Sequence, residues 1–119
     1  MKIPATLLSI VLFASGSVGQ SAEKISQPYP VVWTITDGIE APESAYLDPK
    51  TRHLFLSQIG KGGGMAKDGD GWISKLTPEG KMLKNKWVTG LNAPKGIRSH
   101  GDLLWVSDID RIVAISISQ

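Results

Sequence analysis

Beyond an apolar N-terminal run, the chain breaks into short β-branched and aromatic segments separated by Gly, Pro and Asp. Val31-Val32-Trp33-Thr34-Ile35, bounded by Asp37-Gly38, reads as a strand. Ser44–Leu47 reads as a second, closed by Asp48-Pro49 with Lys50-Thr51 as turn. His53–Ser57 is a third. Trp72–Leu76 alternates apolar and polar residues, as a half-buried strand does. In Thr77-Pro78-Glu79-Gly80, proline suits the second position of a type I or II turn and glycine tolerates a positive φ. Met82–Val88 then returns as an outer strand. Four of these strands, Ser44 to Val88, fall within about 45 residues and suit an antiparallel meander. No amphipathic helix of useful length is predicted beyond the N-terminal run.

The pattern then starts again. Ala41-Pro42-Glu43-Ser44 is echoed 52 positions later by Ala93-Pro94-Lys95-Gly96, and Leu54-Phe55-Leu56-Ser57 is echoed 50 positions later by Leu104-Trp105-Val106-Ser107. A period near 50 residues is of propeller-blade size. The second unit resumes at Ile97, turns at Gly101-Asp102 into Leu103–Ser107, and continues with a strand from Arg111 to Ile117. The expected fold is all-β: a partial β-propeller of about two antiparallel four-stranded blades, blade one about 41–90 and an incomplete blade two about 93–119. The first unit carries about 11 more residues between its second and third strands, Gly60 to Gly71. Insertions in a repeat gather on one face of an array, often the functional one.

Composition narrows the classes. Hydrophobic residues at 41% and charged residues at 20% describe a globular chain rather than a disordered one. A net charge of +2 without a dense basic cluster argues against nucleic acid as a partner. Lys81, Lys84 and Lys86 read as the solvated face of an edge strand, where lysine discourages edge-to-edge pairing. Met1-Lys2, an apolar run from Ile3 to Ala14 and the small residues Ser15–Gly19 together read as a secretory signal over 1–19, cut as late as Ala22 in the alternative. That run is too short to span a bilayer, and no second apolar run follows, so no membrane span is expected. Residues 20–32 read as an extended leader. The expected location is periplasmic or secreted, and with no cysteine the chain relies on its core and neighbours for stability.

Pro42-Glu43-Ser44-Ala45-Tyr46-Leu47-Asp48 with Leu54-Phe55-Leu56-Ser57 resembles the first blade of the six-bladed propellers of the senescence-marker-protein/gluconolactonase group, to which strictosidine-synthase-like proteins are related. Asn92-Ala93-Pro94-Lys95-Gly96-Ile97 with Leu104-Trp105-Val106-Ser107-Asp108 resembles the next blade, and also NHL-type repeats. The resemblance covers roughly residues 33–117 and implies an N-terminal part of a ring that needs roughly 300 residues to close. It implies a divalent cation, calcium or zinc, at the channel mouth of the complete propeller, with Glu43 as one ligand. There the metal would polarise a lactone carbonyl or acidify a bound water. Lys95 stands where the family often has a metal-binding asparagine, and an ammonium offers no acceptor to a cation. Glu43 and Lys95, equivalent channel-mouth positions in adjacent units, are therefore also candidates for an ion pair that replaces the metal.

The remaining candidates are weaker. Asp68 and Asp70 in the Gly-rich loop have the alternate spacing of calcium loops but lack the distal glutamate, so a plain flexible loop competes with a cation site. Asp108 and Asp110 sit in a tight turn where Asp108 is expected to bind nearby backbone N–H groups, and His53 and His100 read as exposed turn residues. Trp33, Trp72, Trp87 and Trp105 suit packing between blades. No catalytic residue is assigned. Two functions remain: a scaffold that binds a small molecule or protein at its channel face and the 60–71 loop, or a metal-dependent sugar-lactone hydrolase that needs the complete propeller. Remaining blades or self-association would have to cover the open edges.

Overall fold

Seven strands follow one another in the computed structural model, which describes residues 29–119. The expected signal over 1–19 and most of the leader over 20–32 lie outside the described residues. The strands are β1 (Pro42–Leu47), β2 (Leu54–Gln58), β3 (Gly71–Leu76), β4 (Met82–Leu91), β5 (Pro94–His100), β6 (Leu103–Asp108) and β7 (Arg111–Ser116). They form two antiparallel sheets in sequential order, β1-β2-β3-β4 and β5-β6-β7, and neither sheet closes on itself. The all-β class and the antiparallel pairing are as the sequence predicts; the strands divide into a four-stranded and a three-stranded sheet. No helix among the described residues is long and apolar enough to cross a membrane.

The strands run further than their apolar centres indicate. β1 and β5 both begin at the proline of the repeated phrase, not at Ser44 and Ile97, and β4 reaches Leu91 rather than Val88. Both proline segments are carried by a register shift, between Pro42 and Ser44 against β2 and between Pro94 and Ile97 against β6. Such bulges let a residue without an amide proton join the start of a strand.

Val31–Ile35 is a correction: it forms no strand. Strand propensity needs a partner ladder. This run instead crosses the first sheet, where Trp33 and Ile35 lie over Ala45, Leu54, Leu56 and Leu76, residues of three different strands. Trp33 rests on the Thr77–Gly80 turn, in which Gly80 (φ 84°) has its Cα so close to the indole that a Cβ would stand 2.7 Å from it.

Alternation along each strand gives each sheet two faces. In the first sheet, Phe55 and Ile73 face one way while Leu54, Leu56 and Leu76 face the other. Phe55, Ile73 and Leu91 meet Ile97, Leu104, Val106 and Ile117 of the second unit in one buried cluster, with Tyr46, Trp87, Val88, Val113 and Ile115 at its margin. The core is therefore the layer between the sheets. Phe55 packs on Trp87 with ring centroids 5.0 Å apart. Lys84 and Lys86 are exposed on β4, an outer strand of its sheet, as the sequence predicts.

This layer sets the first expectations. Phe55→Ala should cost about 3–5 kcal/mol in urea unfolding, because it empties the centre of the cluster. Gly71→Ala should cost about 1–3 kcal/mol. A Cβ there would lie 2.4 Å from Cδ of Pro94 and 2.6 Å from the Asn92 carbonyl oxygen, at the approach of one unit to the next. Wild-type stability for either variant would contradict the packing described.

Candidate functional site

Antiparallel order gathers one set of strand ends and loops together. The starts of β1, β3, β5 and β7 and the ends of β2, β4 and β6 share this end, with the 59–70 loop, the Asn92-Ala93 link and the Ile109-Asp110 turn. Glu43, Lys95, Asp68 and Asp70 all lie here, as does Asp110. His53, His100, Asp48 and Asp102 lie on the turns of the opposite end.

Two buried side chains build this end, and they occupy equivalent places in the repeat. Gln58 ends β2 and Asp108 ends β6, 50 positions apart. Gln58 accepts a hydrogen bond from the Glu40 amide through Oε1 and donates from Nε2 to the Gly38 carbonyl (3.0 Å) and to Ser74 Oγ (2.7 Å). Asp108 accepts from the amides of Asn92 (3.0 Å) and Ala93 (2.8 Å). It also accepts from Arg111 Nε at 3.0 Å, and the Arg111 guanidinium pairs with it at 2.9 Å. Each side chain thus holds the backbone that leads into its own unit. Ser57 Oγ accepts from the Ser44 amide and Ser107 Oγ donates to the Gly96 carbonyl, again at matching positions. Asp108 was expected to bind amides of its own turn; it reaches across to the link from β4 instead. The turn is two residues long, and Ile109 takes φ 39°, a region that β-branched residues rarely visit.

The Gly-rich insertion is tied to the second unit. Lys95 Nζ donates to the Gly64 carbonyl (2.8 Å), the Gly69 amide donates to Asn92 Oδ1 (3.2 Å), and Lys67 pairs with Asp110. That lysine holds the Asp110 carboxyl below its ordinary range, first by its hydrogen bond and then by its charge. Asp68 and Asp70 are turned into the loop: Asp68 Oδ1 accepts from the Asp70 amide (3.2 Å), and Asp70 Oδ2 accepts from the Lys61 amide (2.9 Å).

The expected Glu43–Lys95 pair is a second correction. Among the described residues the ion pairs are Lys67–Asp110 and Arg111–Asp108. Lys95 is engaged by the insertion, and Glu43 is exposed on β1. Nor do the described residues gather three carboxylates or imidazoles that could share one cation, so Glu43 stands as a single candidate ligand here. What the arrangement offers is a polar rim with one ammonium held by a carbonyl, a second paired with a carboxylate, the exposed Glu43 and a loop clamped across two units.

The opposite end contains a cluster that the sequence did not reveal. Asp48 is buried and accepts from the Thr51 amide (2.7 Å), from Thr51 Oγ1 (2.6 Å) and from Ser99 Oγ. Ser99 lies on β5 and also bonds the Tyr46 hydroxyl of β1, at 2.9 Å, so a polar chain crosses between the sheets. Burial by itself would raise the Asp48 pKa, but the hydrogen bonds from Ser99, Thr51 and the Lys50 backbone outweigh it and the carboxyl lies below its usual range. His53 is half-buried, not exposed as expected, and sits edge-on to Phe55. Burial, then the charge of Lys75, lowers its pKa, against an opposing effect from Asp48.

Of the four tryptophans, Trp87 joins the inter-sheet layer as predicted. Trp72 is buried on the other face of its sheet, where Nε1 donates to Ser74 Oγ (3.1 Å) and Asn85 Oδ1 (3.2 Å). Trp33 and Trp105 are only partly covered, 41% and 43% exposed. No protein-family model, curated protein or solved structure matches the chain.

Two expectations follow from these buried carboxylates. Asp108→Ala should cost about 3 kcal/mol, since it orphans two amides and leaves Arg111 without its partner. Asn92 and Ala93 should then show faster amide hydrogen exchange, and unchanged exchange would count against the tether. A depressed Asp48 pKa means that its contribution is complete above the unfolded value, about 3.9, and is lost as pH falls through the folded value. Stability should therefore fall below about pH 4, less steeply in Asp48→Asn, with His53 acting in the same direction from about pH 6.5 downward.

Proposed function

We propose that the chain is the N-terminal part of a secreted or periplasmic propeller of the gluconolactonase-like kind, and that it serves as a binding scaffold without activity of its own. Its ligand, a small molecule or a protein, engages the end of the sheets that carries Glu43, Lys95 and the 60–71 loop. The observation that carries this reading is the position of Lys95. It is the repeat equivalent of Glu43, and its ammonium is held by the Gly64 carbonyl at the rim. A fixed cation there suits an anionic or carbonyl-bearing ligand and opposes a divalent metal beside it. The equivalent anchors Gln58 and Asp108 support the repeat on which the propeller reading rests.

The alternative is a sugar-lactone hydrolase using calcium or zinc, with Glu43 as one ligand and the others in further blades. It draws support from the Pro42–Asp48 phrase alone. The two readings are separated by adding calcium or zinc to the complete protein, further blades included, following Tm and assaying an aldonolactone. The scaffold reading expects an unchanged Tm and no hydrolysis. Lactone hydrolysis together with stoichiometric metal, both lost in Glu43→Gln, would transfer the assignment to the hydrolase.

A further inference from the structure

The outer faces of the two sheets are the two halves of the seam that already joins them. By ladder position, Phe55 and Ile73 of the first sheet correspond to Trp105 and Ile112 of the second: Ile73 pairs with Ser57, and Ile112 pairs with Ser107, the repeat of Ser57. Phe55 and Ile73 are fully buried against the second sheet. Trp105 and Ile112 point away from the core, 43% and 66% exposed, and line an open groove of about 350 Å³ with Gly96 and Arg98.

The relation also holds in reverse. Leu104, Val106 and Ile115 of the second sheet face the first sheet, and their ladder equivalents are Leu54, Leu56 and Leu76. These three lie on the first sheet's outer face and line an apolar cavity of about 200 Å³. One outer face therefore repeats the aromatic side of the seam and the other repeats its aliphatic side.

We propose that the 119-residue chain, with no further blade beside it, takes up a second copy of itself head to tail, the Trp105/Ile112 face of one copy against the Leu54/Leu56/Leu76 face of the next. The occupant follows from continuity with the existing seam: the face that matches Trp105 and Ile112 is the kind that Phe55 and Ile73 already contact, and the chain carries a spare one. Residues 31–35 are what the incoming face must displace. Trp33 and Ile35 cover the aliphatic face, but among the described residues no hydrogen bond ties 31–35 to the sheet, and Val32 is 87% exposed. The contact is heterologous, so it leaves one open face at each end of a pair and extends to a ring or a filament.

The inference rests on the repeated units of the scaffold reading, but its test is separate: lactone hydrolysis would overturn that reading without touching assembly, and a monomer would do the reverse. Sedimentation velocity is run on the purified chain over a concentration series, with Ala45→Glu on the aliphatic face and Ile112→Glu on the aromatic face. Both positions are exposed, and circular dichroism checks that the variants fold. The wild type should form dimers and larger species. Each variant alone should associate at least about tenfold more weakly, because docking would bury an unpaired carboxylate. An equimolar mixture of the two should recover dimers and nothing larger, since only one good seam can form. A wild type that stays monomeric, a mixture that stays monomeric, or association lost in Ile112→Glu and untouched in Ala45→Glu would each overturn the proposal.

Discussion

The apolar layer between the two sheets positions everything else in this chain. A sheet of three or four short strands is stable only when one face is covered. Here Phe55 and Ile73 are covered by Ile97, Leu104 and Val106, which are covered in return. Closing this layer sets β1 beside β5. That proximity lets Ser99 reach both Tyr46 and Asp48, and it brings the long β2–β3 loop within reach of Asn92, Lys95 and Asp110. The polar contacts at both ends are consequences of the apolar contact in the middle.

A buried carboxylate is costly unless its oxygens are satisfied. Asp108 is tolerated because two amides and a guanidinium converge on it, and the same contacts hold the link into the second unit. Gln58 performs the equivalent task without charge. It holds both a donor and an acceptor of the segment leading into β1, where Asp108 can only accept. The rim therefore rests on two differently built anchors, and Lys95 reaches it already engaged. A lysine fixed by a carbonyl presents a steady positive charge; a lysine paired with Glu43 would have cancelled it.

Much of the fold was legible because strands announce themselves locally. The centres of the seven strands, the Thr77–Gly80 turn and the Asp108–Arg111 turn lie where the sequence predicts. The strand-grade run Val31–Ile35 failed because pairing is a property of two segments, and this one meets a sheet face. The anchors were missed for another reason. Gln58 and Asp108 differ in chemistry, so the repeat disguised them. Their common place, directly after Leu54–Ser57 and Leu104–Ser107, was the available signal. Glu43 and Lys95 hold equivalent places in the repeated phrase, yet equivalence does not imply contact, and the Lys95 ammonium bonds the Gly64 carbonyl instead.

The sequence by itself determined the all-β class, most of the strands and the long loop between β2 and β3. These depend on short-range propensity and on a period of about 50 residues. Only the tertiary structure decided which face of each sheet is buried, which amides Asp108 satisfies, where Lys95 points and which aromatic residues stay in water. Those outcomes depend on segments tens of residues apart meeting in space. Alternation says that a strand has two faces; only the neighbouring sheet decides which of them is the core.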